Sequence, residues 1–167
     1  MSEQAAAVEL EALAAKVRET YEEFTQSVKD LGNKAAGRSK MGGSFLRWIG
    51  GSHISTPRDQ LCEEFLTKVQ SQLEFFTVAL EGASREEQAR ACAVLADVML
   101  QPVPVRSNAT TDLMKRAMVS QFRPFLPYLT REKLGECLER MTSAYQRRQM
   151  LPVEKELVQD METLLRP

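Results

Sequence analysis

The sequence predicts an all-α fold, a single domain built as a bundle of about six main helices. Three observations carry this. No stretch alternates apolar and polar residues with period two, apolar residues recur at helical spacing in six segments, and strong start and stop signals separate those segments. A chain of 167 residues is long enough for one core and buries about 70% of its unfolded surface. Its apolar fraction of 43% and charged fraction of 27% fit a folded globular chain rather than a disordered one.

The first element is predicted over residues 1–31. Ala7, Ala14, Tyr21 and Val28 recur every seven residues, and Leu10, Val17, Phe24 and Leu31 follow the same step three residues later. They are a and d positions of heptads on one long helix. The e positions Glu11, Arg18 and Thr25 and the g positions Ala6, Leu13, Thr20 and Ser27 form a poor charge code for a partner helix. Packing inside a bundle is therefore the first reading of the 7–31 seam, and a homo-oligomer through it is the second. Gly32 and Asn33 are expected to stop this helix.

A connector over 32–56 comes next. It holds the chain's one Trp and one His, with Gly42-Gly43 and Gly50-Gly51 flanking Phe45-Leu46-Arg47-Trp48-Ile49. Phe45, Trp48 and Ile49 stand at i, i+3 and i+4, enough for one short aromatic turn. The rest of the bundle is expected over 57–167. Thr56-Pro57-Arg58-Asp59 is a helix start, with Thr56 as N-cap and Pro57 in the first helical position. Leu61, Phe65, Val69, Leu73, Phe76 and Leu80 share one face, and Gly82 ends the helix. Ser84 with Glu87 is a capping box for the next, with Ala89, Cys92, Ala93, Ala96, Met99 and Leu100 inward. Pro102 and Pro104 keep QPVPVRSN a loop. A helix from about Thr111 carries Leu113, Ala117, Met118 and Phe122. Pro124 and Pro127 break or kink the chain beyond Phe122. Thr130 caps a helix burying Leu134, Cys137, Leu138, Met141 and Tyr145, and Pro152 starts the last, with Val153, Leu157, Met161, Leu164 and Leu165 inward.

The residues offer little for catalysis. Cys62, Cys92 and Cys137 lie far apart without zinc or redox spacing and fall at or beside apolar helical positions, as buried thiols do. His53 is the one histidine. The pairs Glu22-Glu23, Glu63-Glu64 and Glu86-Glu87 are adjacent in sequence, which aims them at different points, and they lack the histidines of di-iron bundles. Gly37-Arg38-Ser39-Lys40-Met41-Gly42-Gly43-Ser44 matches a phosphate loop except at its lysine, where Gly43 stands, and a helix rather than a strand precedes it. No catalytic residue, metal site or cofactor is predicted.

Charge distribution says more. The net charge is −1, but residues 1–30 are acidic, while no Asp or Glu occurs between Asp30 and Asp59 or from Leu113 to Arg131. These charges either pair across helices or leave a basic surface. The expected function is a non-enzymatic helical interaction protein, an adaptor, chaperone-like or regulatory subunit. Phe45, Arg47, Trp48 and Ile49 would be its partner-binding residues, since Trp and Arg are favoured anchors. The alternative is a peripheral membrane- or anion-binding module using the same segment, with Lys34, Arg38 and Lys40 as anion or lipid contacts. One Trp and scattered bases make a thin stacking platform, which weighs against nucleic acid. Glu3, Glu9 and Glu11 stand where a secretory leader would be basic, and no run approaches a membrane span, so a cytoplasmic location is expected.

Overall fold

The computed structural model describes residues 3–38, 56–105, 108–145 and 150–167. They form six α-helices and one 3-10 turn: α1 Glu3–Arg38, α2 Pro57–Glu81, α3 Arg85–Met99, α4 Asn108–Phe122, the 3-10 turn Arg123–Tyr128, α5 Arg131–Tyr145 and α6 Pro152–Leu165. No strand occurs among the described residues, as the missing period-two pattern implied.

Six of the heptad residues of α1 are core, Leu31 is half-buried, and the Ala7 side chain lies outside the described residues. Leu10, Ala14, Val17, Tyr21, Phe24 and Val28 are all buried, and α1 packs on α2 and α3. This seam is covered within the chain, so a zipper through it would require α1 to leave the bundle. Phe24 stacks on Phe65 at 4.5 Å, and Tyr21 meets the same ring edge-on at 5.9 Å. Thr20 pairs with Gln72 and Glu23 with Lys68, so α2 runs antiparallel to α1. Arg90 reaches Glu11, and the Tyr21 hydroxyl reaches Pro102 just beyond α3, so α3 runs parallel to it.

The helix does not stop at Gly32 and Asn33. It continues to Arg38, which takes residues 32–38 out of the expected connector. Glycine inside a helix costs about 1 kcal/mol relative to alanine, too little to end a helix that resumes with Lys34-Ala35-Ala36. The remaining connector residues 39–55 lie outside the described residues.

The caps fall where expected. The Thr56 hydroxyl accepts from the Asp59 N–H while the Asp59 carboxylate accepts from the Thr56 N–H, and Ser84 and Glu87 repeat the exchange. These bonds to the charged forms hold both carboxyls below the usual carboxylate range. Gly82 closes α2.

Several inward faces differ from expectation: Leu61 of α2 and Leu138 of α5 are only half-buried, and the Tyr145 side chain lies outside the described residues. In α3, Ala91, Leu95 and Val98 are buried beside Cys92, Ala96 and Met99, while Ala89, Ala93 and Leu100 are only half-buried. The helix touches α1, α4 and the 3-10 turn, and so needs a broad apolar face. Helix α4 starts at Asn108 rather than Thr111, and its face is turned by one residue: Met114, Met118, Val119 and Phe122 are buried while Leu113 is 67% exposed. Four neighbours set that rotation, since α4 packs on α2, α3, α6 and the 3-10 turn. In α6, Leu164 faces solvent and Glu154 is fully buried with Leu157 and Met161. The prolines of FRPFLPYLT give the 3-10 turn, which seats Phe125 edge-on against Phe76 at 5.4 Å.

Candidate functional site

Of the residues expected to bind a partner or an anion, Phe45, Arg47, Trp48, Ile49 and Lys40 lie outside the described residues. Arg38 is the last residue of α1. Lys34 is exposed and lies with Asp30, Pro57 and Gln60 around a hollow where α1 ends and α2 begins.

The cysteines are buried, and burial pushes their thiols up, Cys62 to about 11 and Cys92 to about 12, with Cys137 also raised. At about 11 the Cys62 thiol is ionised on the order of once in ten thousand at pH 7, and Cys92 less still, which leaves almost no nucleophilic thiolate at either. Among the described residues no three His, Cys, Asp or Glu side chains gather as a metal site. None of the described helices is long and apolar enough to cross a membrane.

Much of the second acid-free window is engaged within the chain. Arg123 pairs with Asp160 and Glu156, which raises its guanidinium further. Arg131 donates to the Leu165 carbonyl. Lys115 in the same window is only 6% exposed and donates to the Gln101 carbonyl at 3.1 Å. Across the molecule, Arg90 reaches Glu11 and Glu86, and Asp97 receives both Lys133 and Arg140. Helix-to-helix pairing therefore accounts for many of these charges, each such exposed pair contributing at most about 1 kcal/mol.

What stands out is the open side of the α1/α2 pair. Three hollows run end to end along this seam. The largest, about 870 Å³, is walled by Lys16, Glu19 and Glu23 of α1 and by Glu63, Glu64 and Lys68 of α2. The next shares Glu23, Glu64 and Lys68 with it, and the third is the hollow beside Lys34. The floor is tied together by the Gln72 amide donating to Thr20 at 2.9 Å, and Lys68 bridges one wall to the other by donating to Glu23 at 2.8 Å. At the Leu13 end stands Phe75, 66% exposed, with Val78 one turn further along α2 and 74% exposed. Residues 76 and 80 of the same helix are core; α2 is thus apolar on two faces.

No family model, curated protein or solved structure matches the chain. The candidate site rests on this geometry.

Sequence reasoning missed the groove. Adjacency in sequence aims the members of Glu22-Glu23 and of Glu63-Glu64 at different points, and all four are exposed. The antiparallel pairing of α1 and α2 nonetheless brings Glu23, Glu63 and Glu64 around one hollow with Glu19, while Glu22 turns to the α1/α3 side. The signal that was available is Phe75, which lies beside the core residue Phe76 and off the Leu73–Leu80 face.

Proposed function

We propose that the chain is a helical docking protein whose contact surface is the open α1/α2 groove together with Phe75 and Val78, and that it holds a helical segment of a partner protein there. One observation carries the reading: Phe75, 66% exposed, lines the end of a groove long enough for a helix, and Val78, 74% exposed, stands one turn beyond it on α2. Single exposed apolar residues are ordinary on a surface, but two large ones on successive turns of one helix, the first lining a groove, point to an interaction site. Grooves of this kind take amphipathic helices. The alternative, an anion- or lipid-binding module, rests on Phe45, Arg47, Trp48, Ile49 and Lys40, which lie outside the described residues, together with Lys34 and Arg38. Adaptor and regulatory roles derive from docking and belong to the same proposal.

A photoreactive residue at position 75, with one at Glu132 as control, tests it in cell extract. The expected result is a discrete cross-linked partner from position 75 alone. That partner, once purified, should lose at least about tenfold in affinity for the Phe75→Ala/Val78→Ala variant, as hot-spot residues do. Unchanged affinity, or a marked fall in melting temperature of that variant, overturns the assignment.

A further inference from the structure

The walls of the groove carry more information than its apolar end. Around the largest hollow stand four carboxylates, Glu19 and Glu23 from α1 and Glu63 and Glu64 from α2, against Lys16 and Lys68. Lys68 is already given to Glu23. Among the described residues Glu19, Glu63 and Glu64 enter no ion pair. Glu19 and Glu23 lie at i and i+4 on one helix, where like charges repel. An incoming cation relieves that repulsion. The same field repels an acidic peptide or an anionic lipid surface.

The apolar and acidic parts are separated along the seam. Leu13 and Phe75 lie at one end, and the carboxylates extend from there toward Phe24 and Leu61. From the level of Leu13 to that of Asp30, α1 rises about 25 Å at 1.5 Å per residue, the length of a helix of roughly 17 residues. We infer that the docked segment is a cationic amphipathic helix, with a large apolar anchor for the Phe75 end and Lys or Arg side chains along the face that meets Glu19, Glu23, Glu63 and Glu64. This rests on the docking reading above and adds the chemistry of the partner. Charge complementarity of this kind sets specificity and association rate.

Two synthetic helical peptides of about 18 residues test it, identical in apolar residues, one carrying Lys and the other Glu at every polar position. Binding to the full chain is read by fluorescence anisotropy. The Lys peptide is expected to bind at least about tenfold more tightly than the Glu peptide at about 50 mM salt, and to lose most of that margin at about 0.5 M, where screening acts within a few Å. Glu63→Lys/Glu64→Lys should reverse the preference. Equal binding of both peptides, each weakened by Phe75→Ala/Val78→Ala, overturns the cationic assignment and leaves the docking reading standing. Binding of neither peptide overturns both. A Lys-peptide preference that survives the charge reversal places the attraction elsewhere and overturns the inference. So does self-association in light scattering that the reversal abolishes, because the occupant is then a second copy of the chain.

Discussion

The Tyr21 hydroxyl donates a 2.7 Å hydrogen bond to the Pro102 carbonyl, across 81 positions of sequence. It fastens the middle of α1 to the loop that leaves α3. The loop needs such a tie, because Pro102 and Pro104 have no N–H to offer a neighbour. Tyr21→Phe keeps the ring against Phe65 and removes the hydroxyl that makes this bond. It is expected to cost about 1 kcal/mol in urea denaturation. Burial raises the Tyr21 phenol above its ordinary value. A raised acid loses stability as pH climbs from its unfolded value through its folded one. The wild type should therefore lose stability above pH ~10 through this group, and Tyr21→Phe should lack that component. Equal stability of the two proteins at neutral pH, with parallel decline in alkali, would show that the bond holds nothing.

Phe75 and Phe76 are chain neighbours with opposite fates. Phe76 is fully buried and meets Phe125, while Phe75 is exposed at the groove. Phe76→Ala should cost about 3–5 kcal/mol through lost burial and the cavity it leaves. Phe75→Ala should lie within about 0.5 kcal/mol of wild type. Paired denaturation curves decide this, and a large cost at Phe75 would return that side chain to the core and remove the site.

Glu154 is buried in α6, where one oxygen accepts from the Leu151 N–H at 2.9 Å. Burial is the largest influence and raises its carboxyl. The Leu151 bond and Lys115 of α4 pull the other way, while Asp112 of α4 adds to the rise. Because the folded value lies above the unfolded one, protonation favours the fold. The contribution is complete below the unfolded value of 4.5 and is lost as pH rises through the folded one. The melting temperature of Glu154→Gln, taken relative to wild type, should therefore improve between pH 4 and pH 7. A relative loss over that interval would mean that the charged form, held by Lys115 and Leu151, is the stabilised one.

The helices themselves were legible in the sequence, because their signals are local. Thr56 with Asp59, Ser84 with Glu87 and Pro152 fix starts within a few residues, and the spacing of Leu10 to Val28 fixes which side of α1 turns inward whatever it meets. Gly32 was misleading for the same reason: its local cost is real, and the good helix formers beyond it outweigh it. Where a helix has several neighbours, spacing alone was insufficient. Leu113 and Met114 fit an amphipathic pattern equally well, and only the four elements around α4 chose Met114.

The sequence by itself determined that the chain is all-α, where most helices begin, and which face α1 and α2 bury, because backbone propensity, capping and 3.6-residue periodicity act within a turn or two. Only the tertiary structure decided that Glu19, Glu23, Glu63 and Glu64 wall one groove, that Lys115 and Glu154 are interior, and that Phe75 stands apart from the core. Those facts depend on which helix lies against which and in which direction, and packing across tens of residues leaves no periodic mark on the segments it joins.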